Sequence, residues 1–105
     1  MKHALPKYVT RFSKSYGSIW KAFQHLGEAC HAAGPLDPRA RRLIKLGIAA
    51  AAQSEGALHS AVRAAMRERI PPAEIRHAIL LAITTIGFPR AMAALSWAED
   101  VMGKK

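Results

Sequence analysis

Apolar residues return at three- and four-residue intervals along most of this chain, which is the spacing of one face of an α-helix. The first clear pattern covers residues 18–33, and its apolar positions are Ile19, Phe23, Leu26 and Cys30. Gly34 and Pro35 follow, and this pair favours the end of a helix. The pattern predicts an amphipathic helix whose apolar face, including the thiol of Cys30, is buried.

A second helix is predicted over residues 38–53. Asp37 has a side chain suited to cap the helix, and Pro38 is favoured at the first helical position. The apolar positions occupy so much of the helix circumference that we expect burial on more than one side. These positions are Leu43, Ile44, Leu46, Ile48, Ala50 and Ala51.

Three more helices are predicted over residues 58–69, 72–86 and 90–102, because apolar residues keep the helical spacing in each. A break at Ser54-Glu55-Gly56 precedes the first of them, and Gly87-Phe88-Pro89 separates the last two. Ile70-Pro71-Pro72 reads as a turn followed by a helix start.

The predicted fold is all-α, with five to six helices in a single domain of residues 1–105. No segment alternates apolar and polar residues for long enough to be a strand, and short connections between helices favour one helical domain. Residues 1–14 are polar and basic without a clear period, so we expect a flexible arm there. Many apolar residues are alanines, which bury little area each, so we expect a homo-oligomer in which neighbouring chains complete the core.

The composition narrows the partners and the compartment. The chain has 16 Lys and Arg against 7 Asp and Glu, a formal net charge of +9, but the basic residues are scattered. Without a recognised module or interleaved aromatic residues, this charge predicts no nucleic-acid binding. The longest apolar run, residues 78–88, is too short to span a bilayer, so we expect no membrane association. Cys30 is the only cysteine, which excludes an intramolecular disulfide, and we expect a cytoplasmic protein.

Three stretches, in this order, resemble the carboxymuconolactone decarboxylase and alkylhydroperoxidase D-like (AhpD-like) superfamily. They are GPLDPRARRLIKLGIAAAA, HSAVRAAMRERIPPAEIRHAILLAI and TIGFPRAMAALSWAEDV. The most specific parts are the PPAEI helix start and the GFP break before an Ala-rich last helix. The resemblance implies an AhpD-like helical domain and an assembly into homo-trimers or homo-hexamers.

The resemblance also shows which reactive groups this chain lacks. Hydroperoxidases of the family use a pair of cysteines, a glutamate and a histidine. One cysteine thiolate attacks the peroxide, and the other resolves the sulfenic acid that forms. Aligned on PPAEI, the cysteine positions fall on Ser54 and Ala57, the glutamate on Arg42 and the histidine on Ala61. All four are replaced. The decarboxylase branch keeps the histidine, so the likeness to that branch is incomplete too.

The remaining polar residues of this region are the candidate site. We predict His59 and Glu55 as catalytic residues, for proton transfer. We predict Arg42, Ser54 and His77 as substrate-binding residues, since an Arg can hold a carboxylate through two hydrogen bonds. Each has a structural alternative: His59 as a surface or interface histidine, Glu55 and Ser54 as groups that favour a helix start, and Arg42 and His77 as exposed helix residues. We predict no metal and no cofactor.

Three functions stay open from the sequence. The first is a lyase or decarboxylase acting on a small carboxylated metabolite. The second is a catalytically silent, oligomeric binding or structural homologue. The third is the antioxidant role of the alkylhydroperoxidase branch, which the missing cysteine pair argues against.

Overall fold

A computed structural model describes residues 6–103, and all regular secondary structure within them is helical. Six helices of nine residues or more and one four-residue helix follow in the order α1 (Lys7–Ser15), α2 (Gly17–Ala32), α3 (Pro38–Ala52), α4 (Glu55–Arg67), α5 (Pro72–Leu80), α6 (Ile83–Ile86) and α7 (Phe88–Met102). The predicted all-α class is confirmed for this part of the chain.

The chain divides into two compact units, residues 1–36 and residues 37–105. In the first unit α1 contacts α2, and Phe12 and Tyr16 stack at 5.2 Å between ring centroids. None of the described residues of this unit is buried. Two helices alone have too little apolar area to enclose a core.

The second unit contains the core. Helix α3 contacts α4, α5 and α7, and α7 also contacts α4, α5 and α6. Leu46, Leu58, Val62, Ile75 and Ile79 are the largest fully buried side chains. Alanines fill much of the remaining interior, among them Ala50, Ala61, Ala65, Ala94 and Ala98. The small side chains let the helices approach closely, so that a few large residues anchor the packing.

Local signals in the sequence start and end these helices. Asp37 accepts a hydrogen bond from the backbone N–H of Ala40 (2.7 Å), and Ser54 Oγ accepts one from the N–H of Ala57 (3.2 Å), so each caps a helix. Gln53 and Arg69 follow α3 and α4 in the left-handed conformation, with φ of 55° and 64°. Because Ser54 caps α4, the helix begins at Glu55 and runs through Gly56, where the sequence predicted a break.

Several apolar residues of α2 and α3 that the sequence predicted to be buried are exposed in the structure. Cys30 is exposed, and Ile19, Phe23 and Leu26 on the same face of α2 are each more than half exposed. On α3, Ile44 and Ile48 are exposed as well, so this helix is buried on one side only. Helical spacing identifies an apolar face but does not reveal what covers it.

The N-terminal segment also differs from the prediction. Residues 1–5 of the predicted arm lie outside the described residues, but residues 7–14 belong to α1. Within α1 only Tyr8, Val9 and Phe12 are apolar, and although they keep helical spacing, three residues are too short a pattern to predict a helix from the sequence. Among the helices of residues 6–103, none combines the length and the apolar character needed to cross a membrane.

Candidate functional site

An open groove runs along the second unit between α3 and the segment formed by α5 and α6. It has a volume of about 680 Å³ and mostly apolar walls, to which Leu43, Ile44, Ala78 and Leu81 contribute. The polar groups of its lining include Glu74, His77 and Thr85. A concave, largely apolar surface with a few polar groups is the usual form of a small-molecule site or of an interface.

His77 is the one predicted substrate-binding residue that lines this groove. It is exposed and lies one turn after Glu74 on α5. Glu74 accepts a hydrogen bond from Arg39, so its carboxylate is already engaged. His77 is therefore the groove residue best suited to carry a proton or to donate a hydrogen bond to a ligand.

The two predicted catalytic residues lie together, but not in the groove. His59 and Glu55 are one turn apart on α4, and His59 Nε2 lies 3.9 Å from Glu55 Oε2. Asp100 on α7 completes the group, with its Oδ2 at 3.5 Å from the same nitrogen. His59 Nε2 is buried and has no hydrogen-bond partner, while both carboxylates are more than half exposed. We call these three residues the α4–α7 cluster.

The Arg42 side chain is paired with another residue of the chain and is not free to bind a ligand. Its Nε and Nη2 donate to the two carboxylate oxygens of Glu68, each at 3.2 Å. The Arg42 side chain is only 14% exposed, whereas that of Glu68 is 41% exposed. A substrate carboxylate would have to displace Glu68 from this bidentate pair, so the geometry favours a structural role that joins α3 to the end of α4.

The remaining aligned positions carry structural groups. Ser54 caps α4 through its hydroxyl oxygen. Ala61, at the family's histidine position, is buried in the core, and Ala57, at a cysteine position, is exposed. The structure thus brings Glu55 and His59 together, while Ser54, Arg42 and His77 occupy three other environments.

A further ion pair between α5 and α7 is structural. Arg76 donates through Nε and Nη2 to Glu99, at 2.6 and 3.0 Å. The hydrogen bond to Glu99 is the main cause that raises the pKa of Arg76 above its ordinary value, against a smaller opposing effect of burial. Arg76 therefore stays charged and serves as a fixed cation, not as a proton carrier.

Two features of this site were not predicted from the sequence. Asp100 is distant from His59 along the chain, and only the packing of α7 on α4 brings them together. Nothing in the sequence around Asp100, from Glu99 to Met102, indicates that contact. The groove depends on the end of α5 at Leu80, whereas the apolar pattern suggested an unbroken helix over residues 72–86.

Comparison with known proteins agrees with the order of motifs. The sequence model of the carboxymuconolactone decarboxylase family matches residues 19–100, which include most of α2 and all the helices that follow up to Asp100. The groove and the α4–α7 cluster both lie within the matched residues. A search of the curated proteins finds no match to this chain.

Proposed function

Because the chain belongs to the carboxymuconolactone decarboxylase family, we propose that it is a self-associating member without the family's thiol chemistry, whose groove is covered by a second copy of itself. The groove and its exposed rim are the observation that carries this proposal. Ile44 is 47% and Leu81 66% exposed, and both line the groove. Apolar surface of this kind is unfavourable in water and is typical of interfaces.

Each chain also offers a second apolar surface. Ile19, Phe23 and Leu26 form an exposed stripe on α2, in the unit of which no described residue is buried. A molecule with two uncovered apolar faces can cover both by repeating one contact around a closed ring. A homo-trimer or homo-hexamer satisfies this requirement, and the small alanine-rich core gives the single chain little stability to spare.

Sedimentation or light scattering at micromolar concentration tests the proposal. We expect an oligomer for the natural chain and a shift towards monomer for Ile44→Asp and Leu81→Asp, because each variant places a charge in the apolar contact. Gly56→Asp is the matched control: it adds the same charge in the first turn of α4, where a carboxylate is favoured and its Cβ meets no atom within 4 Å. A natural chain that is monomeric at these concentrations would refute self-association.

The absence of thiol peroxidase chemistry follows from the residues at the aligned positions. Ser54 is a helix cap and Ala61 is buried, and Cys30 lies on α2 in the other unit. One thiol cannot attack a peroxide and also resolve the sulfenic acid within the same chain. A dithiol reductant could supply the second thiol, but the family's glutamate and histidine positions, whose side chains activate the attacking thiol, carry Arg42 and Ala61. We expect no catalytic turnover of hydroperoxides with a dithiol reductant, measured by reductant consumption. Sustained turnover that is lost in Cys30→Ser would revive the antioxidant function.

A second candidate is a lyase or decarboxylase reaction on a small carboxylated metabolite bound in the groove. The size of the groove and the presence of His77 favour it, since the volume of about 680 Å³ suits a small molecule and an imidazole can transfer protons near neutral pH. The predicted catalytic pair, His59 and Glu55, suits an anionic substrate less well, because Glu55 and Asp100 would repel a carboxylate that approaches His59.

A screen of small lactone and keto acids for loss of carbon dioxide would test this candidate. Turnover reduced in His77→Asn and retained in His59→Asn would support catalysis in the groove. The reverse result would support the catalytic pair predicted from the sequence. No turnover with any acid would leave self-association as the proposed function.

A further inference from the structure

We propose that Glu55, His59 and Asp100 form a binding site for a first-row divalent cation such as Zn²⁺. The proposal goes beyond the proposed function and does not depend on self-association, since all three side chains belong to one chain. Each residue offers one ligand atom to the α4–α7 cluster, and these atoms lie within 4.8 Å of one another. Three protein ligands leave a further position for water, as in open metal sites.

The backbone holds the three ligands in a suitable arrangement. Glu55 and His59 are four residues apart on α4, which places both side chains on one helix face, and Asp100 approaches from α7. The imidazole nitrogen lies 3.5 Å from Asp100 Oδ2 and 3.9 Å from Glu55 Oε2. Bonds of about 2.0–2.2 Å to a tetrahedral cation separate ligand atoms by about 3.4 Å. Small rotations of the two exposed carboxylates would close the difference.

The position of His59 Nε2 within the cluster also supports the site, since this atom is shielded from solvent although the side chain as a whole is 23% exposed. Nε2 is buried from solvent, and no hydrogen bond satisfies it. The two neighbouring carboxylate oxygens, at 3.5 and 3.9 Å, make no hydrogen bond of good geometry with this nitrogen, whereas a cation bound to its lone pair would satisfy it. The same nitrogen faces both carboxylates, so it points towards the space that the cation would occupy.

The charge of the donor set also favours a divalent cation over an anion. An imidazole that ligates a metal is neutral, so the two carboxylates would give the donor set a charge of −2, although the whole chain has a formal net charge of +9. A mixed nitrogen and oxygen donor set suits Zn²⁺ and its first-row neighbours better than Mg²⁺, which prefers oxygen ligands alone. The cluster is thus locally negative in a chain whose net charge is positive.

Titration calorimetry of the EDTA-treated, tag-free chain with Zn²⁺ tests the site. We expect one Zn²⁺ per chain, with binding weakened at least about tenfold in Asp100→Asn and Glu55→Gln and more strongly in His59→Asn, since even the loss of an outer-shell partner of a metal ligand weakens binding by about 10–100-fold. His25→Asn and Glu28→Gln are the matched controls, because both residues lie on α2 in the other unit. The two carboxylate variants alter exposed side chains and should fold normally.

Thermal unfolding gives a second readout. A ligand that binds only the folded chain lowers the unfolding constant about elevenfold at ten times its Kd. We therefore expect Zn²⁺ at this concentration to raise the Tm of the natural chain and of the controls, and to raise that of Asp100→Asn much less. No Zn²⁺ binding would overturn the site. Binding that survives Asp100→Asn and disappears in Cys30→Ser would overturn it as well.

Discussion

Arg69 occupies a backbone position that ordinarily favours glycine. Its φ is 64°, and the two hydrogen bonds that close α4 surround it: Ile70 N–H to Ala65 O and Arg69 N–H to Met66 O, both 3.0 Å. This pattern is a Schellman motif with a left-handed residue just after the helix. A side chain in that conformation costs about 1–2 kcal/mol, which glycine avoids.

We expect Arg69→Gly to stabilise the fold by about 0.5–1 kcal/mol, because the relief of left-handed strain exceeds the greater chain entropy that glycine loses on folding. Urea unfolding measures the change. Arg67→Gly, within the last turn of the same helix, should instead cost up to about 1 kcal/mol. Loss of stability in Arg69→Gly would mean that the Arg69 side chain makes a contact worth more than the strain.

Gln53 has the same left-handed backbone but a different balance, since its Nε2 donates to Ala50 O (3.0 Å) and Arg90 O (2.9 Å). These bonds join the end of α3 to the start of α7. A glycine at this position would relieve the backbone and remove both bonds, so we expect no gain in the same unfolding experiment.

At the scale of single helices, α5 shows how few side chains carry the core. Ile79 is fully buried, whereas its neighbour Leu80 is 42% exposed. We expect Ile79→Ala to cost about 2–5 kcal/mol because it leaves a cavity among side chains that have little room to adjust. Leu80→Ala should change stability by only about 0.5 kcal/mol. Equal losses, measured by denaturant unfolding, would contradict this assignment of the core face.

The starts of helices could be predicted from the sequence better than the contacts that each helix makes with the others. Asp37 and Ser54 cap their helices through atoms close along the chain, so the local sequence contains the whole interaction. The exposure of Ile48 and the contact of His59 with Asp100 depend on how separate helices pack. Sequence spacing alone does not encode that packing, which is why Glu55 and His59 were predicted and Asp100 was not.

At the scale of the whole molecule, all the buried residues that form the core belong to the second unit. We therefore expect a fragment of residues 37–105 to remain helical and to unfold cooperatively, with circular dichroism as the measurement. A fragment of residues 1–36 has no comparable core and should be largely unfolded. If the fragment of residues 37–105 were unfolded, the first unit would contribute to the stability of the core.

The alanine-lined face of α7 links the interior to the surface. Ala94 and Ala98 are fully buried in the same cluster as Leu58 and Val62 of α4, and a methyl group has no alternative rotamer with which to absorb an intruding atom. A bulkier residue there must push the two helices apart as whole rods. Such a substitution should therefore lengthen the distance between Asp100 and His59 and weaken the binding of a divalent ion to the α4–α7 cluster, so that ion affinity would report on how the interior is packed.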